Sequence, residues 1–467
     1  MFAVLGALAT STVEGAGIHF SVWQSILVMI VVGFSAVMAH KALAVFNDGA
    51  RPFMLDFIQG RTSRMETATV VFGLSAGFIF GVGAPMALST GVLNPWLLFL
   101  PAEILGLLAP KWWIAAAAGL GWGAISAFGL AGVNNIAQSL PVNFIAELGA
   151  LGTPILWLFA MFPVLAVARQ FGRTKALITF AVEAAMILLA MNVWPTVFAG
   201  SLAMAAGVFM LIGFAAYQDR AARATETIAL AGMTDEERAI ALQAKVDEAE
   251  AVDQLFGPNA LRLRQFLPWF MALGGLVAAL SATHIFAGSA ATSFLIASGD
   301  IVEAAQTDFW RAFGFVPLVA TTALASGAYA MAGFTFVYPV GYLIGLGIAN
   351  PILALILAFA AGAAIFGVEV LALSALGRFL QRWPSIRESA DHIRNAIGET
   401  LQTALLVGSL MVALNMAGGL GVFIVGGLYL LNEALGRPIA RLAAGPAAVI
   451  LAGILLNVLN VLNIFTP

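Results

Sequence analysis

Apolar residues run in stretches of about 20 from one end of the chain to the other, the length a helix needs to cross a bilayer. Cut at charges and at Gly/Pro/Asn clusters, the stretches are 20–46, 67–90, 92–110, 112–133, 151–168, 176–192 and 196–217, then 266–288, 311–332, 334–349, 351–376, 396–417, 419–435 and 447–465. The pattern predicts an all-α polytopic membrane protein of about 12–14 transmembrane helices. Segments 92–110 and 334–349 are Gly- and Pro-interrupted and are expected to be broken or re-entrant. Residues 1–19 are apolar without a basic leader and are read as a loose N-terminal segment. One stretch, 218–264, reads as soluble: Thr234 followed by Asp235, Glu236 and Glu237 has the form of a helix start, and Ile240, Leu242, Val246 and Ala249 recur behind it. It is expected to be an amphipathic, acidic cytoplasmic linker between a first membrane half, 1–217, and a second, 265–467.

Composition sharpens this picture. The chain is 61% hydrophobic and 10% charged, against about 25% charge in soluble domains, so it could not cover a water-facing surface. That excludes a soluble enzyme and a nucleic-acid binder, and makes the lipid bilayer the solvent. With no cysteine, disulfides, thiolate metal sites and cysteine nucleophiles are excluded as well.

The few charges set the orientation. With the N-terminus outside and each segment crossing once, Lys41, Arg51, Arg61, Arg64, Lys111, Arg169, Arg173 and Lys175 all fall inside, as do Arg220 through Arg264, Arg378 through Arg394, Arg437 and Arg441. Only Arg311 falls outside, in an outward interval with Asp300, Glu303 and Asp308. This is the positive-inside pattern. It predicts both termini on the outer face of the membrane and the linker on the cytoplasmic face. Seven segments on either side of the linker mean that the halves enter the membrane from opposite faces.

A faint repeat accompanies that topology. Ala87-Leu88-Ser89-Thr90-Gly91 is similar to Ala323-Leu324-Ala325-Ser326-Gly327, and Pro101 with Ile104-Leu105-Gly106-Leu107 to Pro339 with Leu343-Ile344-Gly345-Leu346. Inverted-topology halves with discontinuous helices are the architecture of secondary transporters.

Polar groups inside the bilayer are costly and are functional candidates. If the helix of segment 311–332 continues, Thr322, Ser326 and Tyr329 share one face with Thr321 beside it; Thr335 and Tyr338 follow near a second break. In the first half, Ser89, Thr90 and Asn94 cluster between Pro85, Pro95 and Pro101. These nine residues are the candidate substrate contacts, although hydroxyls also suit interhelical packing. Glu103, Glu369 and Glu183 are mid-segment acids and the candidates for coupling H⁺ or Na⁺. Asn134, Asn135, Gln138, Asn143 and Glu147 lie in an outward half-polar segment, and Glu433 with Arg437 has helical ion-pair spacing. Gly73-Leu74-Ser75-Ala76-Gly77 matches a serine-hydrolase pattern, but in an apolar helix rather than at a strand–helix elbow. With no Walker A sequence and no metal-ligand spacing either, no enzyme activity, cofactor or metal site is expected.

Several runs resemble the YhfT family of bacterial inner-membrane proteins: Gly314-Phe315-Val316-Pro317-Leu318, Gly333-Phe334-Thr335-Phe336-Val337-Tyr338, Asp391-His392-Ile393-Arg394-Asn395-Ala396, Asn432-Glu433-Ala434-Leu435-Gly436-Arg437-Pro438 and Asn94-Pro95-Trp96-Leu97. The resemblance covers nearly the whole chain and departs from it mainly in a longer, more acidic linker. It implies the inner membrane and transport, and carries over no catalytic residues. The expected function is secondary active transport of a small polar or anionic solute, with elevator-type movement in a homodimer. A phosphotransferase-type permease component, and a non-transporting assembly subunit or membrane-embedded enzyme, are the alternatives.

Overall fold

A computed structural model describes residues 20–47, 50–130, 132–133, 139–193, 199–330 and 336–466. Candidate residues Asn134, Asn135, Gln138 and Thr335 lie outside these, and the side chains of Thr321 and Thr322 are likewise not described.

The described residues are mostly helical. The first half comprises α1 (Val22–His40), β1 (Ala44–Val45), α2 (Arg51–Ile58), α3 (Arg64–Phe78), a π-helical turn (Ile79–Gly83), α4 (Ala84–Thr90), α5 (Pro95–Leu108) and α6 (Trp112–Ala124). It continues with α7 (Phe144–Glu147), α8 (Gly152–Phe159), α9 (Phe162–Phe171), α10 (Arg173–Val193) and α11 (Ala199–Ala231). After α12 (Asp235–Gln265) come α13 (Leu267–Ser281), α14 (Ala290–Ala297), α15 (Ile301–Ser326), β2 (Tyr329–Ala330), α16 (Val337–Gly347), α17 (Pro351–Arg382), α18 (Pro384–Ala434) and α19 (Arg441–Val461).

Among the described residues, eight helices are long and apolar enough to cross a membrane, or nine if the bent pair Phe256–Gln265 and Leu267–Ser281 is one span. Among the remaining predicted segments, α5 and α16 are apolar helices too short to span alone. α18 is two helices in one run: Ala417 and Gly418 leave helical geometry, and a side chain at Gly421 would strike the carbonyl of Ala413, so the second part folds back on the first.

Local chemistry explains the boundaries. Ser21, Ser63, Thr234 and Ser289 each close a capping box with the residue three places on. Asn94 and Asn350 cap helices whose first residue is Pro95 or Pro351, where the missing N–H costs nothing. Pro85 cannot donate to the preceding turn, and the helix widens to the π-turn there. Asn94 then donates from Nδ2 to the Gly83 carbonyl at 2.8 Å. In the linker, hydrogen bonds from Thr234 hold the Glu237 carboxyl below the usual carboxylate range. Ile240, Leu242 and Val246 of α12 are exposed.

Three hydrophobic clusters organise the rest, and each draws on both halves of the sequence. The largest runs through α1–α6 and α13–α17. A second set packs α7–α11 with α18 and α19, joined to the first at Val82, Met86 and Ala290.

Within the larger bundle the same features occur twice. α1 packs on α5 and α6 as α13 packs on α16 and α17. A side chain at Gly119 of α6 would strike the Val32 carbonyl and the Ala36 methyl; one at Gly362 of α17 would strike the Gly274 carbonyl and the Ala278 methyl. α4 ends on Gly91 (φ 70°) and α15 on Gly327 (φ 67°), both left-handed as glycine allows. Beyond α1 and α13, Ala42 (φ 51°) and His284 (φ 57°) hold the same conformation without that freedom. The next carbonyl in each case accepts a backbone N–H from the other half: Tyr329 donates to Leu43, and Leu93 to Ile285, both at 2.8 Å. Extended pairing among the described residues is confined to these two crossings, Ala44–Val45 with Tyr329–Ala330 and Leu93 with Phe286, both parallel.

Candidate functional site

Each crossing is backed by a buried polar knot. In the first, Glu103 on α5 is fully buried, and its Oε2 accepts from the backbone N–H of Phe46 (3.2 Å) and Asn47 (3.1 Å). Asn47 in turn donates to Ser75 Oγ on α3 at 3.0 Å, so the apolar-helix serine of the discounted hydrolase pattern is a packing partner.

In the second, Tyr342 on α16 stands where Glu103 stands on α5. Its hydroxyl accepts from the Gly288 N–H (2.6 Å) and donates to Asp308 Oδ2 (2.8 Å). Thr292 donates to the same oxygen at 3.2 Å. Arg311 donates from Nε to Asp308 Oδ1 at 2.9 Å, and its Nη2 lies 2.8 Å from the same oxygen in the ion pair. Asp308 and Arg311 are both buried. The sequence reading placed them in an outward acidic interval. The structure places them one turn apart inside α15, and the pairing offsets part of the desolvation cost of burying Arg311.

An aromatic ladder joins the knots. Ring centroids are 5.1 Å apart for Phe46–Phe99, 5.7 Å for Phe99–Phe286 and 5.7 Å for Phe286–Tyr338. Phe99 and Tyr338 lie one turn before Glu103 and Tyr342 in their helices.

The sequence-predicted contacts sort unevenly around this centre. Tyr338 is buried in the second knot, where a side chain at Gly288 would meet Tyr338 Cγ, Asp308 Oδ2 and Arg311 Nη2 together. Tyr329 does not continue a helical stripe with Thr322 and Ser326. α15 stops at Ser326, whose Oγ accepts from the Ala328 N–H, and Tyr329 enters the first crossing instead. Its hydroxyl donates to Glu369 on α17, which also accepts from the Phe336 N–H. Thus Glu369 and Tyr329 come together. Ser89 and Thr90 donate to the Met86 carbonyl, and Asn94 caps α5, so all three serve helix ends in this conformation. Glu183 lies in the second bundle, on α10, away from both knots. Glu433 pairs with Arg437 at 2.8 Å as its spacing suggests, and with Arg441 at 2.9 Å.

Sequence reasoning missed Asp308, Arg311, Thr292 and Tyr342 as a group. One signal was available: Arg311 alone broke the charge rule, with an acid three residues before it. It also missed the linker's hold on the first crossing, where Asn259 donates to the Leu324 carbonyl and Arg262 to those of Gly327 and Ala42.

A bundle of long apolar helices with buried polar knots at its breaks defines an all-α polytopic membrane protein. The chain belongs to the YhfT family: the family model, described as a protein of unknown function, matches residues 24–465. It is 39% identical over 456 residues to a protein of Escherichia coli (strain K12) described as "Uncharacterized protein YhfT", covering 95% of this chain and 99% of that one. No solved structure matches it significantly.

Proposed function

We propose that the protein is a secondary active transporter of the bacterial inner membrane, built from two halves of inverted topology. The observation that carries this reading is the doubled crossing, in which the broken segment of each half is received by the other half's first helix. Inverted repeats with discontinuous helices bind substrate where the breaks meet. Breaks expose backbone polar groups, and a solute exchanges hydrogen bonds with them without fixed charges having to move.

A small polar or anionic solute binds between segments 85–103 and 314–339, with Ser326, Tyr329 and Tyr338 on one side. Ser89, Thr90 and Asn94 stand on the other. Both crossings belong to the larger bundle, so that bundle carries the solute while the second acts as scaffold and homodimer contact. This is an elevator-type division of labour. Basic loops and the linker 218–264 face the cytoplasm and both termini the periplasm. H⁺ or Na⁺ supplies the driving gradient, and no catalytic group or cofactor takes part. The test is uptake of labelled polar and anionic solutes into proteoliposomes, with and without pH and Na⁺ gradients. Gradient-driven uptake that is lost in Tyr338→Ala supports the reading; failure of every solute under both gradients overturns it.

A further inference from the structure

The three mid-helix acids are not equivalent. Glu103 accepts two backbone N–H groups, and Glu369 accepts a tyrosine hydroxyl and a backbone N–H. Both are held as hydrogen-bond acceptors. Glu183 has neither kind of support. It is 1% exposed, and its Oε1 has no hydrogen-bond partner among the described residues.

Its surroundings explain why. α10 turns Ala176, Thr179, Glu183 and Ala190 inward and leaves most of its length to lipid. Glu183 meets Gly207 of α11 and Pro163 of α9, where a side chain at Gly207 would occupy the place of Oε1. Proline has no N–H to offer, and the Gly207 N–H lies within a helix. The charged groups of the neighbouring helices are engaged elsewhere. Arg169 of α9 pairs with Glu399, Lys175 of α10 stands over the rings of Phe171 and Phe214, and Asp219 of α11 accepts from the Ser385 N–H. Arg220 and Arg223 cover Trp383. On α18, His392 faces Glu388 and Arg394 faces Asp391. Arg173 is ten places before Glu183, about 15 Å along the helix.

An isolated carboxylate in such a place costs several kcal/mol or more, whereas the neutral acid costs far less. A metal cation is a poor alternative, because it wants about six oxygens. No group of three acidic or histidine side chains converges anywhere among the described residues.

We infer that Glu183 is a proton-binding site of the second bundle, holding its proton in this conformation and releasing it only when water enters between α9, α10 and α11. Gly207 is the residue that makes room for it. The proton site stands on this geometry; its service as the coupling step rests on the transport reading above.

Dicyclohexylcarbodiimide, which enters from lipid and adds to a protonated carboxyl, tests the two separately. Treat the full-length protein in liposomes across a pH series and map the adducts by peptide mass. Glu183 is expected to carry the adduct, with labelling that declines as pH rises, is lost in Glu183→Gln, and persists in Glu103→Gln and Glu369→Gln. The wild-type map decides the matter even if Glu183→Gln does not fold. Labelling at Glu103 or Glu369 with none at Glu183 overturns the inference, as does no labelling at any pH. Labelling of Glu183 in a protein that moves no solute leaves the proton site standing and removes the transport reading.

Discussion

Arg262 donates from Nη2 to the carbonyl oxygen of Ala42 at 3.0 Å, across 220 residues of sequence. Ala42 is left-handed, so its carbonyl points away from the end of α1 and is not taken up by the helix. The same guanidinium donates to the Gly327 carbonyl at the end of α15. One linker residue therefore ties the first helix of one half to the broken helix of the other, beside the Ala44–Tyr329 crossing. Arg262→Ala is expected to lower stability by roughly 2 kcal/mol, since hydrogen bonds from a charged donor are lost. Arg262→Lys should recover only part of this, because one ammonium replaces a fork. Thermal unfolding in detergent measures both, and a wild-type midpoint for Arg262→Ala would show that the tie has no energetic role.

Glu103 is the acceptor for two buried backbone donors. Glu103→Gln keeps an oxygen there and is expected to cost about 1 kcal/mol; Glu103→Ala strands the Phe46 and Asn47 N–H groups and should cost roughly 2–4 kcal/mol. Chemical unfolding in detergent ranks the two variants. Equal losses would mean that water replaces the carboxylate, and that the knot is wetter than its burial implies.

The charge pattern made the bundle and its linker legible, because basic loops and apolar runs are local features. The likeness of two helix ends was legible at Gly91 and Gly327, where a left-handed turn needs the same residue twice. Ala42 and His284 hid a second likeness: they share a conformation that neither residue type announces, and nothing in either side chain points to the partner strand. Tyr329 was misplaced on a helical stripe for a related reason. Periodicity extrapolates through a break, and only the pairing with Ala44 shows where the helix stopped. The match between Glu103 and Tyr342 is one of position rather than chemistry, which a search for similar residues passes over.

Duplication of the packing makes a paired prediction. Gly119→Ala and Gly362→Ala each push a methyl into a carbonyl of the facing helix, at Val32 and Gly274. Overpacking of this kind costs about 1–3 kcal/mol. Gly121→Ala meets nothing within 4 Å and should be neutral or gain about 0.5–1 kcal/mol from helix propensity. Unfolding midpoints of the three variants check this. A large difference between the first two would show that the halves do not share one helix contact.

The linker's first turn is pH-sensitive in a definite direction. Thr234 donates to Glu237 from both its N–H and its hydroxyl, and the Glu237 carboxyl is held below the usual carboxylate range as a result. A carboxyl depressed by folding contributes its stability above the unfolded value, and that contribution fades as pH falls through the folded one. The start of α12 is therefore expected to fray in acid below the ordinary Glu range, not near neutrality. An NMR titration of the Glu237 side chain should give a midpoint below that of an ordinary glutamate. A midpoint at or above the ordinary value would mean the capping box does not form in solution.

A chain with no cysteine lets disulfides be placed at will, and two placements separate motion within the larger bundle from motion between bundles. Leu93 and Phe286 are bridge partners on neighbouring strands, about 4.8 Å apart, within the range a disulfide accepts. Both belong to the larger core, so Leu93→Cys with Phe286→Cys ties two parts of one bundle. Gly77 lies on α3, where an added Cβ would stand 3.2 Å from that of Ala440 at the start of α19, so Gly77→Cys with Ala440→Cys joins the larger bundle to the second. If the bundles slide past each other, the first disulfide should leave uptake near the wild-type rate and the second should stop it, with reductant restoring activity. The readout is proteoliposome uptake of the solute found by screening, before and after oxidation. Blockage by the first disulfide and tolerance of the second would place the moving boundary between the crossed strands, inside the larger bundle, and the elevator division would fail.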